Sequence, residues 1–158
     1  WGTVQESAVV IKNIRELALE APILASHGIA TDQFIEVAGD AANDVVLPTG
    51  KLLVADSLED SNPQKEGLVA YNEAYTSKYN KPASTFGAYA ADAFAIAAKA
   101  LEAKGTDKAA LRDYIEKDLG EYVGLTGVFN ITADDHMGLS PESFAMVRIV
   151  DGKWTLEE

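Results

Sequence analysis

The hydrophobic pattern along the chain changes character three times, and each change marks a different kind of element. At the start, "WGTVQES" reads as the end of a strand followed by a capping box, with Thr3 at the helix N-cap and Glu6 three residues on. Apolar residues then fall at Val10, Ile11, Ile14, Leu17 and Ala18, the spacing of one buried helical face. "APILAS" is a short apolar run bounded by Pro22 and Gly28, which predicts a buried strand. Thr31 or Asp32 is placed to cap a helix over "DQFIEVAG", and Gly39 is placed to stop it. "DVVLP" is a second buried strand. Strand, helix, strand, helix, strand at this spacing implies parallel βαβ units in an α/β sheet.

After Gly50 the pattern breaks. "KLLVADSLEDSNP" reads as an extended connector ending in turn residues, and Pro63 to Asp118 reads as wholly helical. "PQKEGLVAYNEAYTSKY" is amphipathic, and a third helix, "DKAALRDYIEKDL", begins at Asp107. Between them "STFGAYAADAFAIAAKALEAKG" is apolar nearly all round, which predicts burial on most of its sides. No strand accompanies these helices, so their sheet partners are expected outside this chain. "YVGLTGVFNITADDHMG" returns to an extended, glycine-punctuated path. "FAMVRIVDGKWTLEE" closes the chain as two alternating runs about Asp151-Gly152, a hairpin signal. There is no internal repeat and no low-complexity tract.

Composition narrows what such a chain can do. At 158 residues it is about one domain long. Its 47% hydrophobic content is ordinary for a packed globular protein, which argues against disorder. A net charge of −12 disfavours nucleic acid and anionic membrane surfaces, both of which call for clustered Lys and Arg. With no cysteine, disulfides, thiolate zinc sites and a thiol nucleophile are all excluded. No apolar run approaches the ~18 residues of a membrane span, and none of these residues reads as a signal peptide. The first residue is Trp1 rather than Met, so the chain is expected to begin partway into a longer protein.

The chemistry centres on "PILASHGIATDQF", where a polar Ser26-His27-Gly28 step stands between a buried strand and a helix. A side chain just after a parallel strand lies at the carboxyl end of the sheet, where open α/β folds bind ligands. His27 is thus a ligand or cleft-lining residue, a structural loop residue, or a catalytic acid or base. The last fits worst: adjacent residues on an extended segment point to opposite sides, so Ser26 is a poor partner, and "ASHG" is not a nucleophile elbow. "TADDHMG" lacks the alternating ligands and later glutamate of a calcium loop and reads as turn chemistry. The glycines of "GLTGVF" do not open a helix, so they make no phosphate loop, and "NIT" at Asn130 is a short, common sequon match. Tyr71, Tyr75 and Tyr79 form a packing stripe before they form a stacking platform, and Trp154 is a packing residue of the hairpin. Trp1 stands equally well as cleft wall or core.

Taken together, "PILASHGIATDQFIEVAGDAANDVVLPTGKLLVAD", "YTSKYNKPASTFGAYAADAFAIAAKAL" and "GLTGVFNITADDHMGLSPESFAMVRIVDGKW" resemble the C-terminal portion of branched-chain amino-acid-binding proteins. These are the periplasmic solute-binding receptors of ABC transporters, with the type I two-lobe fold. The resemblance runs through essentially all 158 residues in order. It implies an α/β type I periplasmic-binding-protein fold, two Rossmann-like lobes joined by hinge crossings, here present only as a C-terminal portion. Residues 1–50 would belong to the C-terminal lobe, 63–118 to the N-terminal lobe and 139–158 to the C-terminal lobe again, with 51–62 and 119–138 as hinge crossings.

The resemblance also implies a non-enzymatic role: an extracytoplasmic receptor, periplasmic or extracellular, that closes its lobes on a small amino acid or organic acid and passes it to a transporter permease. No cofactor or metal is implied. The family's C-terminal-lobe contacts map onto Trp1, Thr3 and Val4 in a first loop and Ser26, His27 and Gly28 in a second. Relatives often carry a glutamate on the second loop to pair with a ligand ammonium, whereas this chain has His27. A buried ammonium needs a charge partner, so a carboxylate lacking the ammonium, or an amide, enters the ligand class. Two other readings stay open: an α/β enzyme domain with His27 as acid or base, and a sensory ligand-binding domain on the same fold. Taken alone, the chain would expose apolar surface along its helices and is expected to self-associate.

Overall fold

The computed structural model describes residues 2–157. Helix α1 (Val4–Glu16) is followed by strand β1 (Ile23–Leu24), helix α2 (Asp32–Ala38) and strand β2 (Val45–Gly50). Helices α3 (Lys65–Tyr79), α4 (Thr85–Lys104) and α5 (Lys108–Asp113) come next, the last continued by a wider π turn over Tyr114–Asp118. A small hairpin, β3 (Tyr122–Val123) and β4 (Val128–Phe129), precedes the terminal hairpin of β5 (Phe144–Val150) and β6 (Lys153–Leu156).

The main sheet has the order β1-β2-β5-β6. β1 and β2 are parallel, as a βαβ unit requires, whereas β2–β5 and β5–β6 are antiparallel. Strand alternation divides β5 cleanly: Ala145, Val147 and Ile149 are buried, and Phe144, Met146 and Val150 are exposed. On the buried side Val45 and Leu47 of β2 join them, under Ala8 and Ile11 of α1 and Phe34 and Ala38 of α2. α1 begins after Thr3 as expected, but Thr3 makes no side-chain cap bond and instead donates to the Glu6 carboxylate, whereas α2 is capped at both ends. The Thr31 hydroxyl accepts the Phe34 amide, and Gly39, at φ +59°, ends α2. Arg15 of α1 donates to the carbonyls of Ala41 and Asn43, which fastens α1 over the end of α2. The terminal turn places Asp151 and Gly152 both at positive φ, the I′ geometry that suits a twisted hairpin. Trp154 packs on this core and its indole N–H donates to Asp32 of α2.

A second, smaller core lies among the helices. Leu52, Ala55, Leu58, Leu68, Ala83 and Ala88 are buried together, with Tyr71, Tyr75 and Leu125 packed against them. Three expectations change here. The stretch after Gly50 is not extended: Lys51–Ser57 winds as a 3₁₀ helix with a kink at Val54. Leu52, Ala55 and Leu58 recur every three residues, the 3₁₀ period, and so share the face that meets the helical core. Nor is α4 buried on most sides, since Phe86, Phe94 and Leu101 stand exposed. In α1 the buried face is Ala8 and Ile11; Val10 and Leu17 are exposed, and Ala18, at φ +50°, lies past the helix end. Of the strand end expected before Thr3, Gly2 is not in a strand and Trp1 lies outside the described residues.

Three substitutions report on this architecture. Phe34 is fully buried, so Phe34→Ala is expected to cost about 3–5 kcal/mol by urea denaturation. Phe94, at 76% exposure, is expected to change stability by less than about 0.5 kcal/mol on conversion to alanine. Gly152→Val puts a branched side chain at φ +71° and should cost about 1–2 kcal/mol with an unchanged denaturant slope.

Candidate functional site

The site is built by two loops at the carboxyl end of β1. Residues 2–3 lead into α1, and Ser26 leads into a 3₁₀ turn over His27–Ile29. The turn forms because β1 pairs only through Ile23 and Leu24 before the Ala25 amide makes a last bond to Val46. The chain then closes back through Ile29 N–H to Ser26 O and Ala30 N–H to His27 O. Gly28 sits where a β-carbon would stand 3.4 Å from the Gly2 carbonyl and 3.7 Å from the Ser26 hydroxyl. A β-carbon there would make ordinary van der Waals contact, so the two loops lie against each other and the structure brings together the two segments that the sequence placed at the site.

A cleft of about 260 Å³ opens from this junction and runs between α1 and β1. Gly2, Glu6, Ser7 and Ser26 form its polar mouth, and Val10, Ile14, Ile23 and Leu24 its apolar sides. Among the described residues β1 is the edge strand of its sheet, so the cleft follows a strand with unpaired backbone groups. Of the lining residues Glu6 is the one charged group, and the Thr3 hydroxyl donates to its carboxylate. That bond holds the Glu6 carboxyl below its ordinary pKa. The arrangement offers the Ser7 and Ser26 hydroxyls and one carboxylate beside an apolar slot, which suits holding a small polar molecule.

Each expected site residue has a distinct fate. Ser26 lines the mouth and Gly28 joins the loops. Thr3 is engaged with Glu6, and Val4 packs into the sheet core rather than lining the cleft. His27 is exposed, and its ring meets Phe144 at 6.3 Å between centroids with the planes tilted by 54°. Trp1 lies outside the described residues. In the sequence Glu6 and Ser7 fit a capping box and the first turn of a helix, and that position hides their place in the cleft from a linear reading. Phe144 lies far from His27 in sequence and reaches it only through the fold, so their contact carries no local signal.

Elsewhere, "TADDHMG" is turn chemistry. Asp135 accepts from the amides of Met137 and Gly138, and Thr132 accepts from the Asp135 amide. His136 Nε2 lies 3.0 Å from Glu116, pinning this loop to the π turn after α5. Among the described residues no group of three or more His, Asp or Glu is arranged to hold a metal ion. No helix among them is long and apolar enough to cross a membrane.

No protein-family model and no curated protein matches the chain. Solved structures do. An extracellular ligand-binding receptor from Rhodopseudomonas palustris HaA2 superposes with a TM-score of 0.87 at 25% identity, over 99% of this chain and 46% of that one. A leucine-binding protein, LivK, from Thermotoga maritima MSB8 gives 0.80 at 24% identity, over 99% and 42%. The branched-chain amino acid transporter substrate-binding protein LivJ from Streptococcus pneumoniae, in complex with isoleucine, gives 0.79 at 23%, over 99% and 42%. The chain therefore spans under half the length of the receptors it matches, and it has the α/β type I periplasmic-binding-protein fold found in the branched-chain amino-acid-binding proteins.

Proposed function

We propose that this chain is part of an extracytoplasmic receptor, periplasmic or extracellular, that closes two lobes on a small amino acid or a related carboxylate or amide and delivers it to an ABC transporter permease. The observation that carries the reading is the approach of Gly28 to Gly2, with Gly2 and Ser26 lining one cleft, in a chain that superposes along 99% of its length on ligand-binding receptors. Residues 1–50 and 139–158 would form one lobe and 63–118 part of the other, with 51–62 and 119–138 crossing between them. Ligand contacts would come from Trp1, Thr3, Ser26, His27 and Gly28, with Val4 supporting the first loop from the core.

The chemistry of the mouth favours binding over turnover. A general base needs an orienting acid and a nucleophile within reach, and the ring neighbour of His27 is Phe144. The net charge of −12 favours a small solute over nucleic acid. Glu6 supplies a carboxylate near the second loop, where His27 has none to offer, so an amino acid stays within the ligand class beside simple acids and amides.

The test is a thermal-shift series on the natural full-length protein with leucine, phenylalanine, benzoate, a short aliphatic acid and leucinamide. At ~100 times its dissociation constant a ligand should stabilise the fold by about 2.7 kcal/mol, without being consumed. Turnover of any of these solutes would sink the receptor reading. In the same assay His27→Glu should raise the affinity for leucine relative to the aliphatic acid by about tenfold, or 1.4 kcal/mol. An unchanged ratio would place His27 outside the ligand's reach.

A further inference from the structure

The helical unit and the sheet unit are joined by two segments far apart in sequence, and both leave the sheet at one place. Gly50, the last residue of β2, is the register partner of Phe144, the first of β5. Lys51 therefore opens one crossing beside the residues that end the other.

A buried polar cluster then ties the crossings together. Gln64, 2% exposed, stands at the start of α3, and Asp92, 3% exposed, stands in the middle of α4. Between them runs the Gly124–Thr126 turn that links β3 to β4. The Gln64 side-chain amide donates to the carbonyls of Gly124 (3.3 Å) and Leu125 (3.0 Å). Its oxygen accepts from Lys51 Nζ at 3.1 Å. From the other side, Asp92 accepts the amides of Leu125 (2.8 Å) and Thr126 (2.7 Å) and the Thr126 hydroxyl (2.6 Å). Gly124 is pressed so closely that a β-carbon there would lie 2.8 Å from the Asp92 carboxylate. Buried polar groups cost free energy unless all are paired, so this cluster holds as a set or fails as a set.

We infer that Gln64 is a positioning residue that couples the two crossings, which leave the sheet at the Gly50–Phe144 corner, to each other and to the helical unit. The coupling stands on geometry alone; its use in ligand closure rests on the receptor reading above. Lys51 sits at the corner itself. Burial lowers its pKa while the charge of Glu142, two residues before Phe144, opposes that shift. The lysine thus faces the sheet entry on one side and Gln64 on the other.

Hydrogen exchange on the natural full-length protein tests the coupling with no ligand present. Gln64→Leu removes both the donor and the acceptor, and amides of 51–58 and 122–127 should then exchange about tenfold faster together, although they are far apart in sequence. Gln64→Glu keeps the acceptor for Lys51 but faces two carbonyls with a carboxylate, so it should speed 122–127 and leave 51–58 near the original rate. It also serves should the leucine variant fail to fold. Spin labels at the exposed positions Glu36 and Glu102 report the distance between units, and Gln64→Leu should broaden that distribution. Faster exchange spread evenly over the chain, or an unchanged distance distribution, would overturn the inference. A failure of every solute to shift the melting temperature would remove the receptor reading and leave these readouts intact.

Discussion

The structure depends on the antiparallel pairing of β2 with β5. Five register pairs, from Val46↔Arg148 to Gly50↔Phe144, join residues from opposite ends of the chain. Everything from Lys51 to Ser143 is thereby an excursion that leaves the sheet and returns to it at one corner. Closing so long a loop costs entropy, although that cost grows only slowly with length. The pairing is offset by the core it seals, since Leu47 and Val147 lie opposite each other and are both fully buried beneath the helices. The β5–β6 hairpin then adds Trp154 and Leu156 to the same core.

Besides its attachments to the sheet unit through Val54 and through Thr85 on the Ala30 carbonyl, the excursion has an interior held by two kinds of contact of its own. One is the small apolar cluster around Leu68, which is fully buried. The other is polar: Asp92 and Gln64 lie within that unit and satisfy the backbone of a turn that has no long strand to pair with. A two-residue ladder between β3 and β4 is marginal by itself, and side-chain acceptors and donors complete what the ladder leaves open. The turn is therefore specified by residues 33 and 60 positions away rather than by its own sequence.

That distance explains what a linear reading finds and what it misses. Thr31, Gly39, the "DVVLP" strand and Asp151-Gly152 act through neighbours within a few residues, and each does in the fold what its local chemistry predicts. The α/β class followed from the same local signals. Lys51–Ser57 defeats the reading because "KLLVAD" carries β-branched and aliphatic residues that suit a strand, while its burial every third residue is set by a core formed later in the chain. Val10 and Leu17 fit a helical stripe, but the face that α1 buries is chosen by the sheet and by Arg15 on the carbonyls of Ala41 and Asn43. At the site, Ser26 and Gly28 were legible because a break between strand and helix is local. Glu6 was not, because the capping-box pattern accounts for it in the sequence, whereas in the fold Thr3 makes no cap bond and Glu6 lines the cleft.

The contact between His27 and Phe144 connects the candidate site to the corner on which the excursion hangs. Phe144 is both the ring neighbour of His27 and the residue at which the second crossing enters the sheet. Thr85, at the start of α4, donates its hydroxyl to the Ala30 carbonyl just after the His27–Ile29 turn, so the helical unit touches the same loop from the other side. A ligand that moves the Ser26–Gly28 loop would therefore act at once on the Gly50–Phe144 corner and on the foot of α4. For two units to respond to a small molecule, its contacts must differ in free energy between their arrangements, and this loop is where such a difference would be felt by both.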